Sequence, residues 1–290
     1  MRSLFGIDTS LSILESSKRI DPSRSPFIKA RIDVSHKGVS LSDMKQQIKG
    51  LEIQDSTFKI TYVKNEDLEV NETARFEERR KIEREIGLLV QGQVDLLNPE
   101  IIFGIMKVRD GWVFGRYIKS ESVWLKHQKK PQNYSTALST RVARAVVNIA
   151  TPHPEGIKMI DPCCGAGTVL IEALSMGMDI VGSDLNPLVT TSARKNIAHF
   201  GFECEVALCD LRDVTGRYDV VIIDMPYNLC SVLTQEEQLD MLQSARKLAK
   251  KMVVITIENI DSLIEQADFI IIDRGVAKKS TFSRQVIVCQ

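Results

Sequence analysis

The chain has 290 residues, 43% hydrophobic and 26% charged, and its 38 basic and 38 acidic side chains cancel to zero net charge. That length has room for two domains, and the composition is ordinary for a globular protein. No apolar run approaches the roughly 18 residues of a membrane helix. Zero net charge excludes a protein that holds nucleic acid by bulk electrostatics alone, so any RNA contact needs a local patch.

The first twenty residues carry Arg2, Asp8, Glu15, Lys18 and Arg19 without a signal-peptide layout, so a cytoplasmic location is expected. The six cysteines fall between Cys163 and Cys289, with no Cys-x-x-Cys pair. Free thiols are expected, rather than zinc or a disulfide framework.

In chain order, Phe27 to Val34 and Phe58 to Lys64 alternate like strands. Ala74 to Val90 is highly charged, with Phe76, Ile82, Ile86 and Leu89 at helical spacing. Ile101 to Val108, Asp110-Gly111 and Trp112 to Ile118 read as a β-hairpin around an Asp-Gly turn. The texture changes near Pro131-Gln132-Asn133-Tyr134, the end of a linker over residues 126–134. Lys119, Lys126, Lys129, Lys130, Arg141 and Arg144, with Trp124 and His127 among them, form either an RNA-facing patch or a solvated linker surface.

A regular alternation follows. Helices are predicted over Ser135 to Ala150, Thr168 to Met176, Pro187 to Phe200, Gln235 to Lys250 and Ile260 to Gln266. Strands are predicted over Lys158 to Asp161, Asp179 to Ser183, Cys204 to Cys209, a run ending at Asp224, Met252 to Ile257, Phe269 to Asp273 and Phe282 to Cys289. Such alternation implies an α/β, Rossmann-like parallel sheet covered on both faces. Two strands in succession at the end imply that the last is inserted antiparallel.

The polar positions cluster where strands end, and ligands of open α/β sheets bind outside those carboxyl ends. The first strand runs into Asp161-Pro162-Cys163-Cys164-Gly165-Ala166-Gly167-Thr168. Two glycines there let the backbone approach a ligand, although Leu170 replaces the third glycine of a dinucleotide fingerprint. Asp161 would repel a pyrophosphate but suits a cationic or hydroxyl-bearing ligand. Asp184 closes the second strand and can accept both ribose hydroxyls, while Asn186 fits the helix cap better. Asp210 either accepts from an adenine amino group or caps a turn. Asp224-Met225-Pro226-Tyr227 follows the apolar run Tyr218 to Ile223 and suits holding a flat, amino-bearing group.

These segments together resemble the class I methyltransferases that use S-adenosylmethionine, Asp224-Met225-Pro226-Tyr227 being similar to their (Asp/Asn)-Pro-Pro-(Tyr/Phe) motif. More closely, the chain resembles the THUMP-containing tRNA guanine-N2 methyltransferases. Arg141-Val142-Ala143-Arg144-Ala145 looks like that family's helix before the cofactor loop. Glu83-Arg84-Glu85-Ile86-Gly87 and Val94-Asp95-Leu96-Leu97-Asn98-Pro99 look like its THUMP segment. The resemblance implies a seven-stranded class I methyltransferase domain at 135–290, an N-terminal α+β (THUMP/ferredoxin-like) part with a short region at 1–74 and a THUMP-like segment at 75–125, and tRNA as partner. It implies S-adenosylmethionine at Asp161, Cys163, Gly165, Gly167, Thr168, Asp184, Leu185 and Asp210. Asp224 and the Met225 carbonyl would accept from the target amino group, with Pro226 setting the backbone and Tyr227 stacking on the base. The chain departs from the family at Met225, where proline is common, yet the role there belongs to a carbonyl that methionine keeps. Adenine-N6 methylation, a non-catalytic RNA-binding protein on the same fold, glutamine-amide methylation and a nicotinamide oxidoreductase are the competing readings.

Overall fold

The structure is a computed structural model describing residues 1–69, 72–133, 137–226, 233–279 and 282–290. The chain divides into two units, residues 1–23 with 27–121, and residues 24–26 with 122–290. No helix among the described residues is long and apolar enough to cross a membrane.

The first unit contains α1 (Arg2–Phe5), β1 (Ala30–Gly38), α2 (Leu41–Ile48), β2 (Glu52–Tyr62), α3 (Phe76–Gly87), β3 (Gln91–Val94), β4 (Ile101–Val108) and β5 (Gly111–Lys119). Its sheet has the order β1-β5-β4-β2-β3. The hairpin read from Asp110-Gly111 is present, with β4 and β5 antiparallel and Val108 opposite Gly111. Phe58 of β2, Ile82 and Ile86 of α3, Ile105 of β4 and Phe114 of β5 share one core with Met44 and Ile48 of α2. Strands from both sides of residue 74 form one sheet: β3 and β4 pair with β2, and β5 pairs with β4 and β1.

The second unit contains α4 (Trp124–His127), α5 (Thr140–Ala150), β6 (Lys158–Asp161), α6 (Thr168–Leu174), β7 (Asp179–Asp184), α7 (Pro187–His199), β8 (Val206–Leu208), β9 (Val220–Asp224), α8 (Gln235–Leu248), β10 (Lys251–Thr256), α9 (Asp261–Gln266), β11 (Ile271–Lys279) and β12 (Phe282–Cys289). The sheet order is β11-β12-β10-β9-β6-β7-β8. β6 to β10 pair in parallel, and β12 is antiparallel to both β10 and β11, as the sequence implied. Successive residues of β9 face opposite cores, so its apolar run is continuous. Val220 and Ile222 join Leu170, Ala193 and Val147 on one face. Val221 and Ile223 join Leu242 and Ile264 on the other. The strand order reverses at β6, between β7 and β9, which opens a crevice at the carboxyl ends there.

The expected linker at 126–134 is part of this unit. Trp124, His127 and Lys130 are buried, and the Gln132 N–H donates to Asn196 Oδ1 at 2.8 Å. Helix α5 starts at Thr140, later than expected, because Ser139 caps it by accepting from the Val142 N–H.

Candidate active site

Four acids meet at the crevice because each stands at or just past a strand end. β6 ends at Asp161, β7 at Asp184 and β9 at Asp224, and Asp210 lies two residues beyond β8. Asp161 is buried and opposite Gly182, and its Oδ1 accepts from the Cys163 N–H at 3.2 Å. Burial pushes its carboxyl well above the ordinary value; the Cys163 N–H opposes this, while the charges of Asp224 and Asp184 add to it. Burial likewise pushes the Cys163 thiol well up, reinforced by Asp161, Asp184, Asp224 and Asp210. Each of these acids therefore stands near enough to the loop after β6 to act on Cys163.

Gly165 and Gly167 both take left-handed backbone, with φ of 51° and 79°. Gly167 is the N-cap position of α6, and a Cβ there would lie 3.3 Å from that of Ala193 on α7. The Gly165 N–H donates to Asp184 Oδ2 and the Asn186 N–H to Oδ1, each at 2.9 Å. Asp184 thus ties the loop to the end of β7, and each ionised oxygen can still accept again. Asn186 caps α7 by accepting from the Leu188 N–H at 2.9 Å. Leu185 is exposed beside them.

The missing third glycine has a structural counterpart. Leu170 is fully buried, and a Cβ on Gly182 of β7 would come within 2.6 Å of its Cδ1. The close helix-to-strand approach is met by a glycine on the neighbouring strand.

Thr168 is buried, and its Oγ1 accepts from Lys130 Nζ at 2.7 Å. Burial holds the Lys130 ammonium below its usual pKa, with Glu172 opposing. One turn along α6, fully buried Glu172 accepts from Arg144 Nη1 at 2.8 Å and lies 2.8 Å from His127 Nδ1. Lys130, Arg144 and His127 are therefore interior groups, which corrects the continuous basic patch. Lys119, Lys126, Lys129 and Arg141 are exposed.

Asp210 caps the turn after β8, and both its oxygens are held by the Arg212 side chain, at 2.9 and 2.6 Å. Arg212 also draws its pKa below the ordinary value.

Asp224 is mostly buried, its side chain 21% exposed. Oδ2 lies 3.8 Å from Arg284 Nη1 on β12, and Oδ1 has no hydrogen-bond partner among the described residues. Burial pushes this carboxyl up to about 7, with Arg284 opposing. Met225 is buried in the core under α8 and α9, and its N–H donates to the Ile255 carbonyl at 2.9 Å. Pro226 is half-buried, and Tyr227 lies outside the described residues.

Residues 127–261 match the family described as UPF0020, RMKL-like methyltransferase domain. That stretch is similar to the RMKL-like methyltransferase domains. It spans the sheet from before β6 to the start of α9. A tRNA (guanine(10)-N2)-dimethyltransferase of Methanothermobacter thermautotrophicus is 29% identical over 169 residues, 54% of this chain and 50% of that protein. One from Pyrococcus abyssi is 26% identical over 213 residues, 69% of this chain and 62% of that protein. The chain thus spans 50% and 62% of the length of these two curated relatives. The crystal structure of TrmN from Thermus thermophilus aligns over 91% of this chain and 83% of its own, with 16% identity and a TM-score of 0.49.

Two features of the methyltransferase domain escape the reading of motifs. Arg284 stands in phase with Val286 and Val288 along β12, so a charge on the core-facing phase was the signal. Glu172 interrupts an otherwise apolar helix in the same way.

Proposed function

We propose that the domain takes S-adenosylmethionine in the crevice at the ends of β6 to β9 and methylates the N2 amino group of a guanosine in tRNA. The placement of Asp161, Asp184, Asp210 and Asp224 at or just past the ends of four neighbouring parallel strands carries this reading. Acids at these strand ends suit a cation better than a pyrophosphate, and a bound cation would favour the ionised form of Asp161 that burial otherwise disfavours, so a ligand bearing sulfonium and ammonium charges is favoured over a nicotinamide dinucleotide. The residues fit that ligand. Gly165 leaves open space beside the loop backbone, Gly167 lets α6 start close to α7, Asp184 has acceptor capacity for ribose hydroxyls, and Asp161 would offer an acceptor to the ligand's cationic part. We assign Cys163, Thr168 and Leu185 to the cradle and Asp210 to the adenine edge. The curated relatives' names support guanosine and tRNA.

When bound, the cofactor supplies an electrophilic methyl group. An exocyclic amino nitrogen is a poor nucleophile because its lone pair is delocalised into the ring. The Asp224 carboxylate and the Met225 carbonyl would accept from its two N–H groups, which favours pyramidal nitrogen and stabilises developing positive charge. Pro226 biases Met225 toward extended backbone, and Tyr227 would stack on the base. Asp224, with a pKa near 7, would take the proton after transfer or pass it to water. Much of the rate would come from holding nitrogen and methyl as a near-attack pair. A base in a duplex has to be flipped out, at a cost of a few kcal/mol. We assign RNA holding to the first unit as a THUMP-like module, and place the enzyme in the cytoplasm.

The test is transfer of labelled methyl from S-adenosylmethionine to unmodified tRNA, followed by nucleoside analysis. N2-methylguanosine is the expected product. N6-methyladenosine would replace the assigned base. No transfer despite proven cofactor binding would reject catalysis in favour of an RNA-binding scaffold.

A further inference from the structure

We infer that Arg284 is a positioning residue for Asp224, pairing with its carboxylate across β10 so that the acid meets the target amino group ionised. The inference rests on the reading of Asp224 as the substrate acceptor.

The sheet puts the two residues together. Asp224 of β9 pairs with Ile255 of β10, and Ile255 with Val286 of β12. Side chains two residues apart on a strand share a face, so Arg284 points from the same face as Val286. Its Nη1 reaches 3.8 Å from Asp224 Oδ2, and the two side chains are only 12% and 21% exposed. A guanidinium on a core-facing position is costly unless a carboxylate accompanies it. The contact is an ion pair rather than a hydrogen bond, and Oδ1 is itself buried and has no hydrogen-bond partner among the described residues.

The other groups around Asp224 do not substitute for this contact. β6 contributes the acid Asp161, the ligand loop contributes the Cys163 thiol, and β10 contributes apolar Ile255. Among the described residues Arg284 is the cation that acts on the Asp224 carboxyl, opposing the rise that burial causes. Asp224 must be ionised to accept from the amino group and stabilise its charge. Turnover should therefore rise with pH through the Asp224 titration. Without Arg284 that titration moves to higher pH, by about 1–3 units for the loss of an adjacent arginine.

The test measures single-turnover methyl transfer against pH for the full chain and for Arg284→Met, Arg284→Gln, Arg284→Lys and Asp224→Asn, with folding and cofactor affinity checked in each. For Arg284→Met and Arg284→Gln, the acid limb is expected to shift upward by about one unit or more. The rate should recover at alkaline pH, with KM for RNA and cofactor affinity changed by less than about threefold. Arg284→Lys should return the limb toward its original position. An unmoved limb in either neutral variant overturns the inference, as does a loss confined to KM for RNA. Failure of both neutral variants to fold would assign Arg284 to structure and overturn it too. Asp224→Asn separates the two claims. Full turnover there discards Asp224 itself, whereas lost turnover with an unmoved limb in Arg284→Met discards only the pairing.

Discussion

Asp224→Asn is expected to change how stability depends on pH, in a direction opposite to that of carboxylates held ionised by a partner. Burial raises the folded-state pKa of Asp224 from 3.8 to about 7. Between those values the folded protein holds a proton that the unfolded chain has released, so stability falls as pH rises through the window. At about 1.4 kcal/mol per pH unit, ionising Asp224 in place costs about 4 kcal/mol in full, and about 3 kcal/mol of that falls between pH 5 and pH 8. Asparagine has the same shape and does not titrate. Arg284 stays charged throughout, so whatever the substitution does to the ion pair is nearly independent of pH. The assay is urea unfolding of both proteins without ligand from pH 5 to pH 8. The difference in unfolding free energy should drift by about 3 kcal/mol in favour of the variant as pH rises. A flat difference would mean that Asp224 titrates near the ordinary carboxylate value, and a drift favouring the wild type would mean that it is depressed. Either result would remove the proposed proton acceptor near pH 7.

Asp184→Ala removes an acceptor of the Gly165 and Asn186 N–H groups, and should weaken cofactor binding by about tenfold or more in calorimetry. Unchanged affinity would make Asp184 a loop tie alone. Gly182→Ala places a Cβ 2.6 Å from Leu170 Cδ1 and should cost about 1–3 kcal/mol. Adding Leu170→Ala should recover part of that cost, and additive effects in the double-mutant cycle would contradict the packing account. Glu172→Ala removes the carboxylate that faces Arg144 and His127 inside the domain, and should cost about 3–5 kcal/mol in unfolding experiments. A loss below about 1 kcal/mol would show that the carboxylate is not needed to compensate the buried arginine.

The sequence revealed the second unit better than the first, for physical reasons. Strands buried on both faces read as apolar runs, and in β6 and β9 an acid closes the run. The bounds of β6 coincide with the expectation and β9 ends at Asp224 as expected, while β12 is marked by its apolar end, Val286 to Cys289. In the first unit the signals are weaker. β1 is displaced to Ala30–Gly38 because its pairing with β5, rather than side-chain burial, defines it. β3 is exposed along its length and shows no alternation. α2 is eight residues long and anchored by only Met44 and Ile48, too few positions to establish a helical period. At the site, the acids were visible because each follows a strand. Their partners were not, since Arg284 reaches Asp224 across β10, and Glu172 meets residues 28 and 45 positions away.

The most direct test of the central claim is single-turnover methyl transfer to unmodified tRNA by the wild type and by Asp224→Ala, at saturating S-adenosylmethionine and pH 8. The account predicts N2-methylguanosine from the wild type. It predicts at least about a 100-fold slower rate from the variant, or about 3 kcal/mol, with cofactor affinity retained. Near-normal transfer by Asp224→Ala would contradict it, because the reacting group would then lie elsewhere than at the end of β9.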